Sequence, residues 1–238
     1  MDSDLGIESA AIGEESHWIP LSDLMTGLMV IFLLIAVSYM MQVESDAAHI
    51  KSVAIAYSET KDALYQDLRR EFGADLPKWK AQLLKSDLTI RFSEPEVLFA
   101  TGSSELKPEF QAILRDFFPR YVRILTQPKY RAAISEVRIE GHTSSGWNGV
   151  ASPDEAYFLN MELSQARTRS TLAYVLNLPA DREQITWLRR FVTANGLSSS
   201  RLILDEQGVE DIARSRRVEF RVRTDAETRI ARILEVSK

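Results

Sequence analysis

Asp23 is the residue whose type and place point most directly to chemistry. It precedes a run from Leu24 to Met41 that holds no charged side chain. A helix needs roughly 20 apolar residues to span a bilayer core, and this run is close to that. A carboxylate at the edge of such a run is costly unless it meets water, a partner or an ion path, so it reads as a functional group. Ser22 and Thr26 offer hydroxyls beside it that either help desolvate an ion or merely pack. A structural reading competes: Pro20 and Ser22 look like a helix start, with Asp23 capping it at headgroup level.

Other reactive chemistry is scarce. The chain has no cysteine, which removes disulfides, thiol nucleophiles and Cys-ligated metals. Its three histidines, His17, His49 and His142, are far apart, and no His-x-x-x-His spacing exists to seed a zinc site. No P-loop, nucleophile elbow or assignable carboxylate pair is present, so neither an enzyme nor a bound cofactor is expected. The net charge of -5 is uneven: residues 1–50 hold eight acidic side chains and no Lys or Arg, leaving the remainder mildly basic. That balance suits an anionic polymer but is too small to point to direct nucleic-acid binding.

The elements that position these residues follow from patterning. Residues 1–17 are acidic, small and aperiodic, and are expected to be flexible. The apolar segment, 18–43, lacks a basic n-region and an Ala-x-Ala-like site, so it reads as an uncleaved anchor. Trp18 and Tyr39 lie near its ends, where amphipathic aromatics favour the interface. Ile50, Val53, Ala54, Tyr57, Leu64, Leu68 and Phe72 recur at helical spacing, and Gly73 and Pro77 end the pattern. A helix over 46–72 would be about 40 Å long. It is either a stalk, paired with a second copy, or a helix packed on its own domain, within a linker expected over 44–85.

A domain is expected over 86–224, with a tail over 225–238. Strands are expected at 87–92, 135–141, 201–204 and 218–223. Helices are expected at 107–121, at 154–176 on Leu159, Leu163, Ala166, Leu172 and Val175, and at 182–193 with Asn195-Gly196 as a stop. Strands interleaved with long helical crossovers imply an α/β fold, an α+β sandwich with helices on one face of a sheet.

The order Asp23-Leu24-Met25-Thr26-Gly27-Leu28-Met29 resembles the transmembrane signature of MotB-type stator subunits. In that family the Asp binds and releases the coupling proton or sodium ion, and the resemblance implies this role for Asp23, a proton being expected ahead of sodium. It also implies a MotA-like multi-span partner, five copies around two of this chain, and hence a homodimer. The expected location is the bacterial inner membrane, single-pass, with the N-terminus cytoplasmic and the C-terminal domain periplasmic. Charge alone, with Lys51 and Lys61 beyond the span, favours the opposite orientation.

Three later motifs resemble the OmpA C-terminal, peptidoglycan-binding family: Ile139-Glu140-Gly141-His142-Thr143, then Asn160-x-x-Leu163-Ser164-x-x-Arg167, then Ser215-Arg216-Arg217-Val218-Glu219. The resemblance implies a peptidoglycan site drawn from His142, Thr143, Ser144, Asn160, Leu163, Arg167, Arg216 and Arg217. Arg167 offers a planar donor fork suited to a stem-peptide carboxylate. Asn160, two turns earlier on the same helix face, would hold a loop or reach the ligand. Leu163 fits core packing. Arg216 and Arg217 either line the pocket or bridge to acids such as Asp205. Where the family carries an ammonium-binding Asp, this chain has Ser144, so Asp154 or Glu155 must approach or that recognition is weakened. The loop after Ser144 and the acidic first residues look closer to the B subunits of Zorya anti-phage defence motors than to flagellar stators. A flagellar-type stator and a passive membrane-to-wall anchor are the alternatives.

Overall fold

The uncharged run is helical, as its composition requires. A computed structural model describes residues 18–93, 95–150, 152–178 and 181–225; the segment 1–17 and the tail beyond Asp225 lie outside the described residues. The chain divides into two compact units, with the boundary between Ser52 and Val53.

In the first unit, helix α1 (Trp18–Phe72) begins. Its stretch Leu21–Ser52, 32 residues, is long and apolar enough to cross a membrane. Leu24, Leu28, Phe32 and Ile35 are all exposed, so this surface is not consumed by the fold of the unit. Asp23 is exposed on the same stretch.

The second unit takes in the last turns of α1, followed by β1 (Ala81–Leu84), β2 (Thr89–Phe92), α2 (Pro95–Leu98), α3 (Pro108–Leu125), α4 (Pro128–Arg131), β3 (Ile134–His142), α5 (Pro153–Leu176), α6 (Arg182–Phe191), β4 (Val192–Gly196), α7 (Ile212–Ser215) and β5 (Arg217–Thr224). The sheet order is β1-β2-β5-β3-β4. Among the described residues only β3 and β4 pair in parallel, and the connection between them carries α5 and α6, as a parallel pair demands. The expected mixed sandwich is what forms.

Strand alternation sorts the sheet into two faces. Val218, Phe220 and Val222 of β5 are buried in the apolar core. There, Phe117 of α3 meets Phe220 at 5.1 Å, Phe92 at 5.4 Å and Phe72 at 5.3 Å between ring centroids. Arg217, Glu219 and Arg221 belong to the other face.

Leu64, Leu68 and Phe72 of α1 lie inside this core. Polar contacts fasten the same turns. Arg120 donates to Glu71 at 2.8 Å, Asp75 at 3.0 Å and Asp116 at 3.1 Å, and its guanidinium lies 5.0 Å from the Phe72 ring centroid. Tyr130 donates to Asp67 at 2.7 Å, and Lys129 reaches the same oxygen. The domain therefore starts well before residue 86: the segment expected as a linker supplies core residues and the edge strand β1. For these turns the alternative of packing on their own domain holds.

Three expectations need correction. The helix over 182–193 stops at Phe191, and 192–196 is strand β4, with Val192 opposite Val137 in register. Residues 201–204 form no strand; Leu204 makes only an isolated bridge to Glu210. Of the apolar residues expected on α5, Val175 is buried and Leu172 packs partly on the core, but the rest of the buried face is Ala156, Asn160, Ser164, Thr168 and Thr171. Small residues are needed there, because a Cβ at Gly196 would lie 2.3 Å from the Gln165 amide nitrogen and one at Gly141 would lie 2.7 Å from Thr168 Cγ2. The buried hydroxyls bond carbonyls of their own helix, Thr168 to Ser164 and Thr171 to Arg167, so their burial leaves no donor unmet.

Candidate functional site

A cleft of about 260 Å³ opens where the end of β3, helix α5 and the segments 99–102 and 143–148 converge. Helix α5 is well placed to build it. Ser152 caps its first turn by accepting from the Glu155 amide at 3.4 Å, and Pro153 starts it. Asn160, Leu163 and Arg167 then face the cleft from successive turns.

Arg167 is held from three sides. Its Nε donates to the Ser103 carbonyl at 2.9 Å, its Nη2 to the Ala100 carbonyl at 3.2 Å, and its guanidinium stacks 4.9 Å from the Phe99 centroid. Burial, helped by the like charge of Arg216, lowers its pKa to about 10, which leaves it cationic at neutral pH. Arg216 also lines the cleft and donates from Nε to the Ser144 hydroxyl at 3.1 Å. No carboxylate is found among the described residues lining the cleft. Two guanidiniums without a countercharge make an anion site, and a carboxylate could take paired donors there.

Asn160 donates to the Gly146 carbonyl at 3.2 Å, which ties the loop 145–149 to α5. Of its two expected roles, loop holding is what the contacts show. Thr143 is buried, lines the cleft and has no bond to its hydroxyl. Leu163 is half-buried in the cleft wall rather than in the core.

The structure gathers Thr143, Ser144, Asn160, Leu163, Arg167 and Arg216 but leaves out His142 and Arg217. Both are buried on the polar face of the sheet. Arg217 donates to Glu219 at 2.6 Å, so its acid is Glu219 and not Asp205, which instead accepts from the Gln207 and Val209 amides of its own turn. The strand sets this: with Val218 facing the core, Arg217 must face away.

Asp154 and Glu155 are exposed in the first turn of α5 and do not line the cleft. The acid that approaches the loop is Glu210, which accepts from the Ser145 amide at 3.0 Å and from the Ser145 hydroxyl. No sequence pattern marked Glu210, and Trp147 was visible only as part of an unusual loop.

Behind the cleft, Glu140 and Glu219 stand directly opposite each other across β3 and β5, with His142 Nε2 at 3.8 and 3.7 Å from them. These three could be metal ligands by type. The carboxylates are already engaged by cations: Arg91 lies 2.8 Å from Glu219, and Arg221 lies 3.5 Å from Glu140. Burial works against ionisation of Glu219, but the pull of His142 and Arg217 outweighs it and holds its carboxyl well below the usual range. Burial also lowers the pKa of His142, favouring the neutral ring.

In the first unit, Asp23, Ser22 and Thr26 share one helical stretch. The Thr26 hydroxyl donates to the Ser22 carbonyl at 2.8 Å. Its proton is thus committed to the helix, which fits a packing role better than a relay.

No protein-family model matches the chain. It is 47% identical over 222 residues to the Zorya protein ZorB of Escherichia coli strain Crooks, covering 93% of this chain and 94% of that protein. Among solved structures, a MotB-like protein from Desulfovibrio vulgaris aligns over 69% of this chain and 91% of its own, at 25% identity and a TM-score of 0.46. The cell wall anchor of the T6SS from Pseudomonas aeruginosa aligns over 66% and 96%, at 23% identity and a TM-score of 0.44.

Proposed function

The chain belongs to the ZorB family of Zorya proteins, and from that premise we propose that it is the B subunit of a MotAB-like, ion-driven motor used in anti-phage defence. The first unit crosses the inner membrane once, with its N-terminus in the cytoplasm. The second unit lies in the periplasm and grips peptidoglycan through the Arg167–Arg216 cleft. The chain acts as a brace and a proton carrier rather than as a catalyst.

One observation carries this reading. A single chain joins an acid on an exposed helix, long and apolar enough to cross a membrane, to a cleft with two cations and no described carboxylate. The cleft chemistry favours carboxylates, which peptidoglycan stem peptides supply. The acid suits proton exchange, because a carboxylate at a membrane edge changes its preferred surroundings when neutralised. One charge moving through 100 mV is worth about 2.3 kcal/mol, which drives motion only if the subunit is braced. A lone helix cannot enclose an ion path, so a multi-span, MotA-like partner is required, five copies around two of this chain.

The test is Asp23→Asn in vesicles holding both subunits, with proton flux and phage protection as readouts. Flux and protection should be lost while membrane insertion and peptidoglycan retention persist. Unchanged flux would leave a passive membrane-to-wall anchor as the function.

A further inference from the structure

One wall of the cleft is aromatic. Trp147 is half-buried and lines the cleft between Gly146 and Asn148, and it is not part of the hydrophobic core. Its immediate neighbours in the chain, Gly146 and Asn148, offer the indole no apolar packing. The loop is nonetheless fixed. Asn160 holds the Gly146 carbonyl at 3.2 Å, Glu210 holds the Ser145 amide at 3.0 Å, and the Val150 amide closes a turn onto the Trp147 carbonyl at 3.3 Å. Gly149 supports that turn with φ +81°, a region open to glycine. A large ring is therefore presented on a loop pinned from a helix and from a second loop.

We propose that Trp147 is a stacking platform for a pyranose ring, so that the cleft takes the sugar–peptide junction of a peptidoglycan fragment rather than the stem peptide alone. The face of a pyranose carries C–H groups polarised by neighbouring oxygens, and these suit the negative face of an indole. The exposed Asn148 amide supplies donors and an acceptor for sugar hydroxyl or N-acetyl groups. Arg167 and Arg216 remain for the stem carboxylate. Size agrees: at about 260 Å³ the cleft is smaller than the roughly 300–1,000 Å³ typical of drug-sized ligands. A charged group of residue size fills it, and the sugar lies across the rim where Trp147 stands.

This inference rests on the peptidoglycan reading, and its test separates the two. Binding of the full chain in nanodiscs is measured by calorimetry with two probes, a disaccharide–tetrapeptide and the same tetrapeptide without sugar. The wild-type chain should bind the sugar-bearing probe up to about tenfold more tightly, the scale of one aromatic contact. Trp147→Ala should erase that advantage and leave the tetrapeptide Kd within about twofold, and Trp147→Phe should keep most of it. Equal loss for both probes in Trp147→Ala, or no sugar advantage in the wild-type chain, overturns the platform. Failure of the wild-type chain to bind either probe overturns the peptidoglycan reading itself.

Discussion

Asn160 and Gly146 are joined by a hydrogen bond of 3.2 Å from a buried helix amide to a loop carbonyl. The helix thereby sets the position of the loop that walls the cleft. Asn160→Ala should cost about 1 kcal/mol, the usual net worth of such a bond, or somewhat more because the side chain is buried. Denaturant unfolding checks the stability, and retention on isolated sacculi should fall with it.

Arg167→Lys separates charge from shape. Lysine keeps the cation but cannot bond the Ser103 and Ala100 carbonyls as a planar fork while stacking on Phe99. Retention on sacculi should drop by about tenfold or more, the scale of one charge-assisted bond. Arg216→Ala should also weaken retention but should leave the melting temperature almost unchanged, since Arg216 is exposed.

Gly196→Ala tests the close approach of α5 to β4. The new methyl would sit 2.3 Å from the Gln165 amide nitrogen, and backbone cannot move aside cheaply. Destabilisation of at least about 1–3 kcal/mol is expected in thermal melts. Gly146→Ala is the control: nothing lies within 4 Å of its added carbon, so stability should change by less than about 0.5 kcal/mol.

Acid should weaken the second unit through His142 and Glu219. Both have folded pKa values below their unfolded ones, so the unfolded chain takes up protons first and stability falls as pH falls. The loss should begin near the ordinary histidine value of 6.5 and deepen as the carboxylate range is entered. Glu140, Arg217 and Arg221 face the same pocket. Melting temperature against pH should show the slope, and His142→Gln should flatten the part just below the ordinary histidine value.

Helices α3 and α5 and strands β3 and β5 were legible because apolar spacing and turn residues agree there. Strand β4 was not. Its five residues follow an amphipathic helix without a break and end in Asn195-Gly196, which reads as a helix stop. Only pairing with β3, a distant segment, makes it a strand. The buried face of α5 was hidden because Ser164, Thr168 and Thr171 look solvent-facing until their hydroxyls are seen bonded to the helix. In the cleft, the helix residues were readable from the resemblance of Asn160-x-x-Leu163-Ser164-x-x-Arg167 to a known motif, and their spacing put them on one face. The turn of Arg217 away from the core was readable in principle from the alternation around Val218. Glu210 reaches Ser145 across 65 positions of chain, and nothing local encodes that.

Leu64, Leu68 and Phe72 are embedded among the aromatic side chains that also contact β5, and Arg120 and Asp67 tie the same turns from outside. Tension along this end of α1 cannot peel it away turn by turn. Any force would be shared at once by interlocked rings and clustered charges, so the join should hold stiffly up to a threshold and then fail in one cooperative rupture.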